Sequence, residues 1–216
     1  MKLFISIDGV LRNTIQKFDY HYKDYFLNTE TESDETFEYN VINPVHSENL
    51  INSYKFQSYD EFVKFTYFDF PIEIYGHAGL SYHQVCTELN TFIFENPKVN
   101  VTLVGHSEKG KGKPATLFFL SKNGVMCDSI KFVSLDSLNQ LWNECDLWIT
   151  DNKKIIDSCP KNKKVIKFNT PFNNHFTNTI EINKLSEIKK ECLKFSEKTI
   201  TSTLMELLQN VRSRIL

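Results

Sequence analysis

This chain of 216 residues has little that would mark a special environment. It has no run of about 18 or more apolar residues, the length a membrane-crossing helix needs, so no membrane partner is expected. It has no strong charge of either sign. With 25 Lys and Arg against 27 Asp and Glu, the formal net charge is −2, which gives the phosphate backbone of a nucleic acid no electrostatic hold. Its five cysteines (Cys86, Cys127, Cys145, Cys159 and Cys192) form no CxxC pair and are odd in number. That argues against a disulfide framework and for a reducing compartment. The N-terminus lacks the charged start, long apolar region and small-residue cleavage site of a signal peptide, and a cytoplasmic location is expected. There are no internal repeats.

What is present fits a globular domain: 41% hydrophobic and 24% charged residues. Aromatics are abundant, with 18 Phe and nine Tyr. Asn, Lys and Ile are abundant too, so an AT-rich genome is a simpler source of these rings than an aromatic binding surface.

Short apolar runs at residues 2–7, 100–105, Ser129–Ser134, Leu147–Thr150 and Val165–Phe168 read as buried strands. Helical patterns fall between most of them, at Ser81–Glu95, Ala115–Ser121 and Leu135–Asn143. Such alternation predicts an α/β fold, a three-layer Rossmann-like architecture on a mainly parallel sheet. A further helical pattern runs from about Lys184 to Val211 and is expected to pack on the sheet.

Residues 14–80 break the alternation. They contain an acidic stretch, Thr29–Glu38, read as a solvated loop, and an aromatic-rich part, Tyr54–Tyr75, with a candidate helix from Ser58 to about Thr66. The expected division is a core of residues 1–13 and 98–216 with an insertion at 14–97.

The first strand ends abruptly in Ile5-Ser6-Ile7-Asp8-Gly9-Val10-Leu11-Arg12. A strand that stops at a carboxylate and a glycine turn is how α/β proteins build sites at strand C-termini. The stretch resembles motif I of the haloacid dehalogenase (HAD) superfamily of phosphotransferases, Asp-x-Asp-Gly-(Thr/Val)-Leu. Residues Ile7–Asn13 also resemble small HAD-like proteins encoded by bacteriophages. The resemblance implies a HAD-like sheet, a cap in the slot after the first strand, and chemistry by two carboxylates. The first would attack phosphorus and ligate Mg²⁺; the second would act as acid and then base. Here Ser6 stands at the nucleophile position, and Asp8 keeps the second position as a possible acid/base. A neutral hydroxyl is a poor nucleophile unless a base activates it. Loss of a nucleophile from a coupled site costs about 10⁴–10⁶ in turnover.

The resemblance also implies an acidic metal site after the fourth strand. Thr150-Asp151-Asn152 ends the run Leu147–Thr150, making Asp151 the metal-ligand candidate, with Asn152 where a second acid is usual. With Ser6 removing one anionic ligand, Mg²⁺ is expected to bind weakly unless phosphate is present. Equally, Asp151 reads as the N-cap of a helix beginning near Lys153.

The loop Gly105-His106-Ser107-Glu108-Lys109-Gly110-Lys111-Gly112-Lys113-Pro114 is glycine- and lysine-rich and follows a strand, a setting that suits an anion. It misses a P-loop at Gly112, where Ser or Thr should stand, and a nucleophile elbow at Lys109, where Gly should stand. A mobile solvated loop is the plain alternative. By the resemblance, Gly9, Ser107 and Lys113 are the phosphate-binding candidates, with Gly105 as an alternative to Ser107 and Lys131 as an alternative to Lys113. His77, His83 and Cys86 make an incomplete ligand set with spacing unlike zinc motifs.

The leading expectation is a HAD-like protein without phosphoaspartate catalysis, acting by binding a phosphorylated small molecule or a protein partner. The alternatives are an active Mg²⁺-dependent phosphatase, on a nucleotide or other phosphomonoester, and a structural component of a phage particle.

Overall fold

A computed structural model of the chain describes residues 1–29, 50–105, 109–178 and 180–191. Strands β1 (Lys2–Ser6), β4 (Asn100–Gly105), β5 (Ser129–Phe132), β6 (Leu147–Thr150), β7 (Lys164–Phe168) and β8 (Glu181–Ile182) form one sheet. Their order is β5-β4-β1-β6-β7-β8, and every neighbouring pair is parallel. The expected α/β Rossmann-like class is the one observed.

A parallel sheet needs both faces covered, and the period of two on β1 divides its side chains between them. Leu3, Ile5 and Ile7 face a cluster with Val85, Leu89 and Phe92 of α4 (Val85–Glu95) and Phe119 and Leu120 of α5 (Gly112–Lys122). Phe4 faces the other way, into a cluster with Leu141 and Trp142 of α6 (Leu138–Glu144), Trp148, and Ile155 of α7 (Lys153–Asp157). Cys145 lies in this second cluster, and burial pushes its thiol pKa up to about 12, so it stays protonated.

Part of the expected 14–97 insertion packs with the sheet. Although α4 lies within the expected 14–97 segment, it buries Val85, Cys86, Leu89 and Phe92 in the same cluster as β1 and β4, because its apolar stripe matches the sheet. The insertion proper ends at the two-stranded antiparallel pairing of β2 (Arg12–Asn13) with β3 (Gly79–Leu80).

Within the insertion, α1 (Thr14–Thr29) begins behind Asn13, whose Oδ1 accepts from the Gln16 amide at 3.2 Å. Two short helices follow, α2 (Leu50–Ser53) and α3 (Tyr59–Lys64). Ser58 caps α3, accepting from the Glu61 amide at 3.1 Å. Two π-helical turns come next, Phe65–Asp69 and Ile72–Gly76. These elements bury their own aromatic cluster around Phe18, Tyr22, Tyr54, Phe65 and Tyr75, seated on Ala115 of α5.

Of the expected C-terminal helix, Leu185 and Ile188 join the sheet's main cluster; the part after residue 191 lies outside the described residues, as does the acidic stretch from residue 30 on. No helix among the described residues is long and apolar enough to cross a membrane.

Candidate functional site

The C-terminal ends of β1, β4, β5, β6 and β7 open into a cleft of about 540 Å³. Sheet order sets its layout. Asp8, Gly9, Asp151 and Asn152 lie at the centre, past β1 and β6. Lys109, Ser134 and Asp136 lie on the β4–β5 side, and Phe168–Phe172 on the β7 side. The insertion contributes Tyr59, Phe62, Tyr67 and Tyr75.

Ser6 does not reach this cleft. It shares the Phe4 face of β1 and is 1% exposed. Its hydroxyl donates to Thr150 Oγ1 at 2.9 Å and accepts from Trp148 Nε1 at 3.1 Å. Thr150 Oγ1 in turn accepts from the Asn152 amide at 3.1 Å. The hydroxyl at the nucleophile position therefore ties β1 to β6 and to the turn after it, and these partners include no base.

Asp8 does line the cleft, and its carboxylate is engaged from its own turn. Arg12 Nε donates to Oδ1 at 2.7 Å and Thr14 Oγ1 donates to the same oxygen at 2.5 Å. The Arg12 side chain is fully buried and lies 4.8 Å over the Tyr75 ring, while its Nη1 donates to Tyr75 O at 3.1 Å. Arg12, the last residue of the motif-like stretch, stands four residues after the carboxylate it binds. A guanidinium donates a charge-assisted hydrogen bond to a carboxylate, one of the stronger side-chain contacts.

Tyr67 and Tyr75 share a hydroxyl hydrogen bond, and their rings stack at 5.6 Å and 19°. Burial pushes both phenol pKa values up, and the nearby Asp8 charge adds to this. Both rings therefore stay neutral. They stand on the two π-helical turns, a rare form of helix that is frequent at functional sites.

Gly9 meets Asp151 directly. Its φ is +77°, and a Cβ built there would fall 2.1 Å from Asp151 Cγ, so glycine is required both by backbone and by space. The capping alternative for Asp151 does not hold. Asn152 is the N-cap of α7, its Oδ1 accepting from the amides of Lys154 at 2.9 Å and Ile155 at 3.3 Å. Asp151 is thereby left to the cleft lining, mostly buried.

The phosphate-binding candidates divide. Gly9 is central. Ser107 lies outside the described residues. Lys113 is exposed on α5, with Nζ 5.7 Å over the Phe132 ring, and does not line the cleft. Lys131 pairs with Glu144 on the edge strand β5. The lysines that do line the cleft are Lys109 and Lys154. Lys109 Nζ donates to Tyr59 Oη at 2.8 Å, and its strand-end loop joins the insertion where the Lys111 amide donates to Tyr67 O at 2.8 Å.

As a metal site the donors fall short. Mg²⁺ normally takes one or two carboxylates together with substrate phosphate oxygens. Asp151 lines the cleft, Asp8 Oδ1 accepts from Arg12 and Thr14, and Ser6 is turned to Thr150. Among the described residues no group of three or more His, Cys, Asp or Glu side chains is placed to hold a metal ion. This set offers Mg²⁺ few anionic ligands unless a phosphate supplies more.

No protein-family model matches the chain, and no curated protein does. Solved structures do match. A hydrolase of the haloacid dehalogenase-like family from Streptococcus pneumoniae superposes with a TM-score of 0.56 at 10% identity, over 88% of this chain and 97% of that one. At that identity the likeness is one of fold. This chain has a HAD-like fold.

Proposed function

We propose that the protein binds a small phosphorylated molecule in the strand-end cleft and does not turn it over through a phosphoaspartate. The observation that carries this reading is the placement of Ser6: its hydroxyl is buried between Trp148 and Thr150, away from the cleft. Asp8 supports it. An acid/base must exchange a proton with the reacting group, whereas Asp8 Oδ1 already accepts hydrogen bonds from Arg12 and Thr14 that such a step would have to displace.

Binding itself is supported by the shape and lining of the cleft, whose volume is within the ordinary range for small-molecule sites. The charged side chains balance: Asp8, Asp136 and Asp151 against Arg12, Lys109 and Lys154. An anion is therefore held by the local lysines rather than by an overall field. Lys154 stands on α7, one turn from the cleft centre, and Lys109 on the opposite side, so the two approach a ligand from different strands.

The test is calorimetric titration with a panel of phosphomonoesters, followed by recovery of the ligand. The expected result is binding of at least one phosphorylated compound, recovered intact, and weakened about tenfold or more by the double substitution Lys109→Ala and Lys154→Ala. Release of phosphate at enzymatic rates would overturn the reading in favour of an active phosphatase. Failure of every phosphorylated compound to bind would overturn it in favour of a protein-binding or structural role.

A further inference from the structure

The aromatic side chains of the cleft are not equivalent. Tyr67 stacks on Tyr75. Phe168 stacks on Tyr82 at 6.2 Å and 16°. Phe62 contacts the rings of Phe18, Phe56 and Tyr59. Tyr59 also takes the Lys109 ammonium 4.6 Å over its ring. Phe172 is different: it lines the cleft and is half-buried, and no ring stacks on it among the described residues.

Its position is nevertheless built rather than incidental. The Phe172 amide donates to Thr170 Oγ1 at 3.3 Å. The Thr170 amide donates to Asn173 Oδ1 at 3.0 Å. Asn173 is fully buried, and its Nδ2 donates to Phe168 O at 2.8 Å and to Asp151 O at 3.2 Å. One amide side chain thus fixes the turn that carries Phe172 and anchors it to the backbone of the residue at the cleft centre. An apolar ring held in this way beside a polar centre has its hydrophobic face to offer to a ligand.

From this we propose that the ligand carries a planar aromatic or heteroaromatic ring, and that this ring stacks on Phe172. The proposal rests on the binding reading above and names the class of molecule bound: a phosphomonoester with a flat ring, such as a nucleoside monophosphate or an aryl phosphate. The phosphate lies toward Lys109 and Lys154, and the ring lies on the β7 side. Stacking on an aromatic side chain tolerates any flat ring, so ring identity matters less than ring presence.

The experiment is titration of the full chain with adenosine 5′-monophosphate, uridine 5′-monophosphate, phenyl phosphate, ribose 5-phosphate and adenosine. The ring-bearing phosphates are expected to bind about tenfold or more tightly than ribose 5-phosphate. Phe172→Ala is expected to remove that advantage and leave ribose 5-phosphate unchanged. Phe172→Trp is expected to keep it, with quenching of indole fluorescence by the ring-bearing ligands. The proposal is overturned if ribose 5-phosphate binds as tightly as the nucleotides, if no ring-bearing probe binds, or if Phe172→Ala keeps its far-ultraviolet circular dichroism and its nucleotide affinity. The two readings fail separately. Adenosine binding as tightly as its monophosphate would remove the phosphate and leave the ring; ribose 5-phosphate binding without a ring preference would remove the ring and leave the phosphate.

Discussion

The sheet and the insertion are held together by different matter. On one face of β1, aliphatic side chains predominate: Leu3, Ile5 and Ile7 pack against Val85 and Leu89. In the insertion, rings pack on rings. Phe18 lies 4.7 Å from the Tyr54 ring centroid, 5.5 Å from Phe65 and 5.8 Å from Phe62. The cleft forms where the two meet, and each side lends its chemistry. The sheet brings Asp8, Gly9 and Asp151 to its strand ends, and the insertion brings Tyr67 and Tyr75 over Asp8. Arg12 joins the two, binding Asp8 through Nε and Tyr75 O through Nη1.

The strongest tests of this contrast remove one support at a time. Phe18→Ala should cost about 3–5 kcal/mol in urea unfolding, the usual range for a buried aromatic, with hydrogen exchange rising in the insertion more than in β1 and β4. Equal loss of protection in both would mean the aromatic cluster and the sheet unfold as one unit. Arg12→Met should cost about 1.5–3 kcal/mol, the range for a lost hydrogen bond to a charged group, since Asp8 is partly exposed and keeps Thr14. A loss below about 1 kcal/mol would show that Asp8 is supported without it. Gly9→Ala should cost about 2–3 kcal/mol from its left-handed backbone and the clash with Asp151. Chemical shifts should move around Asp151 and Asn152, and silence there would contradict the contact. Asn152→Ala should cost about 1 kcal/mol as a lost helix cap, whereas Asp151→Ala should leave α7 intact by circular dichroism.

The same contrast explains what could be read from the chain. Strands β4 and β6 fall at Asn100–Gly105 and Leu147–Thr150, where the buried apolar runs place them, because a buried parallel strand writes itself as a continuous run. The insertion writes no such period. Its rings come from α1, the segment between α2 and α3, α3 and the π-helical turns, and α1 itself goes unread because Phe18 and Tyr22 are only one turn of a mostly polar helix. The abundance of Phe and Tyr, taken as a matter of genome composition, includes this cluster and the rings of the cleft.

At the site, Asp8, Gly9 and Asp151 are legible because each sits where a strand ends. Arg12 is half-legible, four residues from the carboxylate it binds, whereas Tyr67 and Asn173 act through contacts that no local spacing shows. Lys113 illustrates the limit. Its Lys-Pro context matches a pattern, yet the start of α5 directs it over Phe132, and Lys109, four residues earlier, lines the cleft instead.

The proposed loss of phosphoaspartate chemistry turns on Ser6, whose hydroxyl is buried between Thr150 and Trp148 and away from the cleft. The most direct measurement is phosphate release from a panel of phosphomonoesters by the purified protein with Mg²⁺, beside Ser6→Asp checked for folding by circular dichroism. The account predicts no release above background from the native protein under conditions where a phosphomonoester binds. Native turnover of about 1 s⁻¹ or more, in the ordinary enzymatic range, would contradict it.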